Sequence, residues 1–172
     1  MDSLMWGREP LVTSFELTDH DGKRRRDDHF RGTLLLIYFG YMFCPDICPT
    51  DLQVIAQAID ELGSAGDAVQ PLFVTLDPER DTPEKLASYV SLFHPRLIGL
   101  TGNPEEIRSV ARGYKVYYAR TSETDMSTYL LDHSAFIYLV DGSGRYVGFL
   151  PPGTSSNRLV DVIRRHLLGI SK

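Results

Sequence analysis

An α/β fold, with a central, mostly parallel sheet flanked by helices and a β-hairpin ahead of it, is what three features of this sequence predict. Short apolar runs of strand length alternate with segments of helical period. The runs are nearly continuous, as in strands covered on both faces. The last strand-like segments close as a hairpin followed by one helix.

The elements follow in order. Phe15 to Thr18, the turn Asp21-Gly22 and Lys23 to Arg26 form the leading hairpin. Thr33 to Gly40 is an apolar strand, after which Leu52, Ile55, Ala56, Ile59 and Leu62 recur at helical spacing up to the breaker Gly63. Gln70 to Asp77 is the next buried strand, and Thr82-Pro83 opens a helix running to about Phe93, with a capping hydroxyl and an early proline. Leu97 to Leu100 is a short strand, Asn103-Pro104 starts a helix ending near Gly113, and Lys115 to Ala119 is extended. Arg120 to Tyr129 is polar and without period. Ser134 to Val140, the turn Asp141 to Gly144 and Arg145 to Phe149 form the closing hairpin, and Ser155 to Leu168 is the last helix. The chain divides into an N-terminal segment, 1–14, and one domain, 15–172.

Composition excludes several function classes. The formal charge of -5 disfavours a nucleic-acid surface, because such affinity is largely electrostatic and needs clustered Lys and Arg. The one basic run, Lys23 to Arg26, reads as the solvated arm of the hairpin. The longest apolar stretch, Leu34 to Cys44, is far shorter than the ~20 residues of a membrane-spanning helix. The segment Met1 to Ser14 lacks the apolar run of a secretory signal, so a targeting element is expected to be absent or removed.

The two cysteines carry the chemistry. Cys44-Pro45-Asp46-Ile47-Cys48 lies directly after the first core strand, where its helix begins. At four-residue spacing in a helix both sulfurs share a face, about 6 Å apart in rise, and can chelate one ion. Unpaired amides at a helix N-terminus favour the thiolate, which binds metal or attacks a disulfide. A structural disulfide closing so short a loop would contribute only about 2 kcal/mol. Two buried apolar cysteines would fit poorly beside Pro45, Asp46 and Pro49.

Two thiolates can hold Cu(I), and a histidine would close the site. His133 stands just before the strand Ser134 to Val140, a boundary from which a side chain can face the cysteine corner. The others have plainer roles: His166 on an apolar helix face, His20 at a hairpin tip, His94 closing a helix before Pro95, and His29 beside Asp27 and Asp28. These residues alone leave the third ligand open.

Tyr38 to Leu52 (YFGYMFCPDICPTDL), Val74 to Thr82 (VTLDPERDT), Ile98 to Gly102, Ala111 to Tyr118 and Leu131 to Gly142 (LDHSAFIYLVDG) together resemble the Sco/SenC family. In order and spacing they cover Phe15 to Phe149. The resemblance implies a thioredoxin-like fold and a copper site formed by Cys44, Cys48 and His133. It also implies copper delivery to the copper-bearing subunit II of cytochrome c oxidase, during assembly of its dinuclear copper centre. Many members carry His or Tyr before the first cysteine; here Phe43 makes the rim more apolar. Members are commonly tethered by an N-terminal helix and face the periplasm or the mitochondrial intermembrane space, so this chain resembles the soluble part of such a protein, read as a monomer. Asp77 to Thr82 resembles a family signature, and its residues are read as structural, a strand-to-helix turn capped at Asp81 or Thr82. Asp132 could orient His133 or bond nearby backbone.

Two thiolates and an imidazole suit Cu(I) and can hold Cu(II), whereas structural zinc demands four ligands. Arg120 to Tyr129 is the candidate mobile lid. The alternative to a metallochaperone is a thiol-disulfide reductase using Cys44 and Cys48 to keep an acceptor's cysteines reduced. Against a general thioredoxin stand the three residues between the cysteines, and His133 where thioredoxins carry a cis-proline. A thiol peroxidase of the peroxiredoxin type would need Pro and Thr where Ile37 and Tyr41 stand.

Overall fold

A computed structural model describes residues 14–42, 47–116, 118–120, 131–133 and 136–170; of 47–49, 118–120, 131–133 and 168–170 it describes the backbone. The elements are β1 (Glu16–Asp19), β2 (Arg24–Arg26), β3 (Leu34–Gly40), α1 (Ile47–Leu62), β4 (Val69–Thr75), α2 (Pro83–Val90), β5 (Ile98–Thr101), α3 (Pro104–Gly113), β6 (Tyr118–Arg120), β7 (Leu131–His133), β8 (Ile137–Val140), β9 (Tyr146–Leu150) and α4 (Ser156–Ile170). Short 3-10 helices occupy Asp27–Phe30 and Gly63–Ala68.

Every residue of β3 is buried, as a strand covered on both faces requires, and β3 lies inside a seven-stranded sheet of order β2-β1-β5-β4-β3-β8-β9. The β3, β4 and β5 strands are parallel, whereas β1 and β2 on one flank and β8 and β9 on the other run antiparallel. The parallel centre is thus narrower than the alternation of elements predicts, because both hairpins add antiparallel strands to its flanks.

Leu52, Ile55, Ala56, Ile59 and Leu62 are buried on one stripe of α1, which packs against α4 and ends at Gly63, where φ is +59°. Thr82 caps α2 by accepting from the Lys85 amide at 3.4 Å, and the helix stops at Val90, short of the expected Phe93. Asn103 and Glu106 form a reciprocal capping box on α3. An aromatic cluster joins Phe39 of β3, Tyr138 of β8, Phe149 of β9 and Tyr114 after α3, with ring centroids 5.4 to 6.0 Å apart.

The three arginines of the basic run pair within the domain. Arg24 pairs with Glu106 at 2.6 Å and Glu16 at 3.5 Å, Arg25 with Asp19 at 3.2 Å and over the Phe30 ring, and Arg26 with Asp28 at 3.4 Å. Among the described residues no helix is long and apolar enough to cross a membrane.

Candidate metal centre

Two segments converge at the carboxyl end of β3. One leaves β3 through Tyr41 and Met42 and resumes in α1, whose first turn contains Cys48. The other approaches β8. Because β8 runs antiparallel to β3, with Tyr38 opposite Ile137 and Leu35 opposite Val140, it begins beside the end of β3. His133 stands four residues before Ile137. It lies in β7, where the sequence reading has no strand and begins the next one at Ser134, with Tyr118 of β6 opposite it and Asp132 opposite Ala119. Cys44, Phe43 and all but Arg120 of the segment Arg120 to Tyr129 read as a lid lie outside the described residues, and Arg120 itself ends β6; the expectation that both sulfurs share one helical face also falls outside them. Among the described residues no group of three or more His, Cys, Asp or Glu side chains could hold a metal.

The other four histidines have backbone partners through Nδ1. Those of His20, His29 and His94 accept from the amides of Gly99, Arg26 and Arg96 at 3.1 to 3.2 Å. The His94 Nε2 also lies 3.3 Å from Asp60, joining α1 to the turn after α2. His166 is half-buried rather than fully in the core, with Nδ1 2.9 Å from the Val162 carbonyl.

Two buried carboxylates anchor the described chain before and after the cysteine segment, and sequence reasoning missed both roles. Asp51, three residues past Cys48 and 1% exposed, accepts from the Tyr38 hydroxyl at 2.8 Å and from the Gly153 amide at 3.2 Å. Asp81, fully buried in the turn after β4, accepts through Oδ2 from the Thr75 hydroxyl at 2.6 Å and the Met42 amide at 3.0 Å. Its Oδ1 is buried without a hydrogen-bond partner among the described residues. Burial pushes the Asp81 carboxyl above its ordinary value, against the opposing pull of its bonds to Thr75 and Met42. The available signal was an Asp next to the apolar stripe of α1 and a second Asp beside an already sufficient Thr cap.

The family model SCO1/SenC matches residues 5–168. The chain is 43% identical over 155 residues to the mitochondrial SCO2 homolog of Bos taurus, covering 89% of this chain and 58% of that protein, so it spans under two thirds of that relative's length. The copper-bound ScoI structure from Arabidopsis thaliana superposes with a TM-score of 0.86 at 42% identity, covering 92% of this chain and 99% of that one. Copper-bound yeast Sco1 superposes at 0.85 with 37% identity, covering 92% and 89%. Both structures share the thioredoxin-like α/β architecture described above. A family match across nearly the whole chain, with relatives above 30% identity, establishes that this protein belongs to the SCO1/SenC family.

Proposed function

We propose that this domain carries one copper ion between Cys44, Cys48 and His133 and delivers it to the copper-bearing subunit II of cytochrome c oxidase. The observation that carries the reading is the pairing of β3 with β8. It sets the chain leading to the cysteines and the chain leading from His133 at the same end of adjacent strands. Cys44 follows Gly40 by four positions and His133 precedes Ile137 by four, and a four-residue step reaches at most about 14 Å.

The donor set adds chemical support. Two thiolates and one imidazole suit Cu(I) and can retain Cu(II), and three protein ligands leave a position through which an acceptor's thiolate or imidazole enters before a donor leaves. Relatives at 42% and 37% identity hold copper in their crystals, and the Sco family, of which BsSco is another member, consists of cytochrome c oxidase assembly proteins. By the same family likeness, the domain acts as a monomer tethered to a membrane and facing the periplasm or the intermembrane space.

The second reading, a thiol-disulfide reductase acting on the same acceptor, uses the same two cysteines, Cys44 and Cys48. One experiment separates them. The reduced protein, loaded with Cu(I), is mixed with the soluble domain of subunit II, its cysteines either reduced beforehand or left as a disulfide. Delivery predicts copper transfer to the reduced acceptor. Reduction of the oxidised acceptor by the copper-free protein, without transfer to the reduced one, would favour the reductase.

A further inference from the structure

The strand that leads to Cys44 is braced, residue by residue, by the turn after β4. The Gly40 carbonyl accepts from the Leu76 amide at 2.7 Å. The buried Tyr41 ring lies under the Arg80 guanidinium, 5.9 Å from its centroid. The Met42 amide donates to Asp81 at 3.0 Å. Three consecutive residues thus meet one turn, and the last is two residues before Cys44.

The turn is braced in its own right. The Thr75 hydroxyl donates to Asp81 and accepts from the Asp77 amide at 3.0 Å, the Asp81 amide donates to the Asp77 carbonyl at 2.9 Å, and Arg80 pairs with Asp77. Closing the turn and starting α2 do not require a buried carboxyl, because Thr82 already caps the helix. Burying a carboxyl is costly unless it is well bonded. Asp81 does one thing that capping the helix does not ask of it: its side chain reaches across 39 residues of sequence to accept from the Met42 amide.

We infer that Asp81 is a positioning residue for the cysteine site, holding the chain from Gly40 to Met42 that leads to Cys44. Its consequence for copper rests on the function proposed above; its consequence for thiol reactivity does not.

The test compares the parent with Asp81→Ala, Asp81→Asn and Thr75→Val in two assays. One is competition for Cu(I) against a chromophoric chelator. The other, needing no metal, is the rate at which iodoacetamide alkylates Cys44 in a Cys48→Ser background. Asp81→Ala is expected to weaken Cu(I) binding by about tenfold to a hundredfold, the usual effect of losing a residue that orients a ligand, and to change the alkylation rate severalfold. Asp81→Asn, which keeps an acceptor for Met42, is expected to restore most of both. If Asp81→Ala does not fold, Thr75→Val, which removes the hydroxyl orienting Asp81, carries the same expectation at about threefold. Copper affinity and alkylation rate both unchanged in a folded variant of lowered melting temperature would overturn the inference and leave the copper reading intact. A parent that binds no Cu(I) would overturn the copper reading, and the alkylation rates would then decide the role of Asp81.

Discussion

The hydroxyl of Tyr38, in the middle of β3, donates to Asp51 at 2.8 Å, and the same carboxylate accepts from the Gly153 amide at 3.2 Å. One buried group therefore ties the start of α1, where Cys48 stands, to the central strand and to the loop that follows β9. Tyr38→Phe keeps the shape and removes the donor. It is expected to lower stability in chemical denaturation by about 1 to 3 kcal/mol, the range for depriving a buried acceptor of its hydrogen bond. A loss below about 0.5 kcal/mol, the scale of a neutral surface change, would show that this bond does not hold the helix.

Acid should act through Glu106. The Arg24 guanidinium beside it holds its carboxyl below the ordinary value of 4.5, with the Asn103 amide adding to the effect. A carboxyl lowered in the folded state stabilises above its unfolded value, and that stability is lost as pH falls through the folded value. Arg24→Ala is expected to cost about 0.5 kcal/mol at neutral pH, the scale of a solvent-screened pair. The difference from the parent should vanish in acid, as urea titrations at a series of pH values would read out.

Asp81 should behave with the opposite sign. Burial raises its carboxyl above the ordinary 3.8, so the folded state holds the proton more tightly than the unfolded chain does. Its contribution is fully present below 3.8 and is lost as pH rises through the folded value. Asp81→Asn, which cannot ionise, is therefore expected to be less destabilising at neutral pH than below 3.8. Unfolding free energies on either side of that pH check this directly.

Lys115 is the one residue other than glycine with positive φ among those described, at +59°. It ends α3 in a Schellman turn, with the Val116 amide bonded to the Ala111 carbonyl at 2.7 Å and its own amide to Arg112 at 3.1 Å. This turn sends the chain towards β6, the partner of the strand that carries His133. Lys115→Gly relieves the left-handed strain and is expected to stabilise by about 0.5 to 1 kcal/mol, seen as a rise in melting temperature.

The order of strands and helices was legible because each core segment repeats its apolar residues at one clear period. The Asn103 and Thr82 caps announced α3 and α2 in the same way. The strand β7 was not legible: the sequence reading starts its strand at Ser134 and leaves Leu131 to His133 ahead of it, and only pairing with β6 makes those three residues a strand of another sheet. The Schellman turn at Lys115 was hidden because no glycine marks it. Asp51 and Asp81 were passed over for a related reason. Their partners, Tyr38, Gly153 and Met42, are 13 to 102 residues away, and hydrogen bonds of that span leave no local signature. For Cys44, Cys48 and His133, the residue types and the family likeness carried the reading, and the meeting of their side chains is the part left to experiment.

X-ray absorption at the copper edge of the Cu(I)-loaded, reduced protein tests that meeting most directly. The account predicts a first shell of two sulfurs and one nitrogen, falling to one sulfur in Cys44→Ser or Cys48→Ser and losing the nitrogen in His133→Ala. An unchanged shell in His133→Ala, or one without sulfur in the parent, would contradict it.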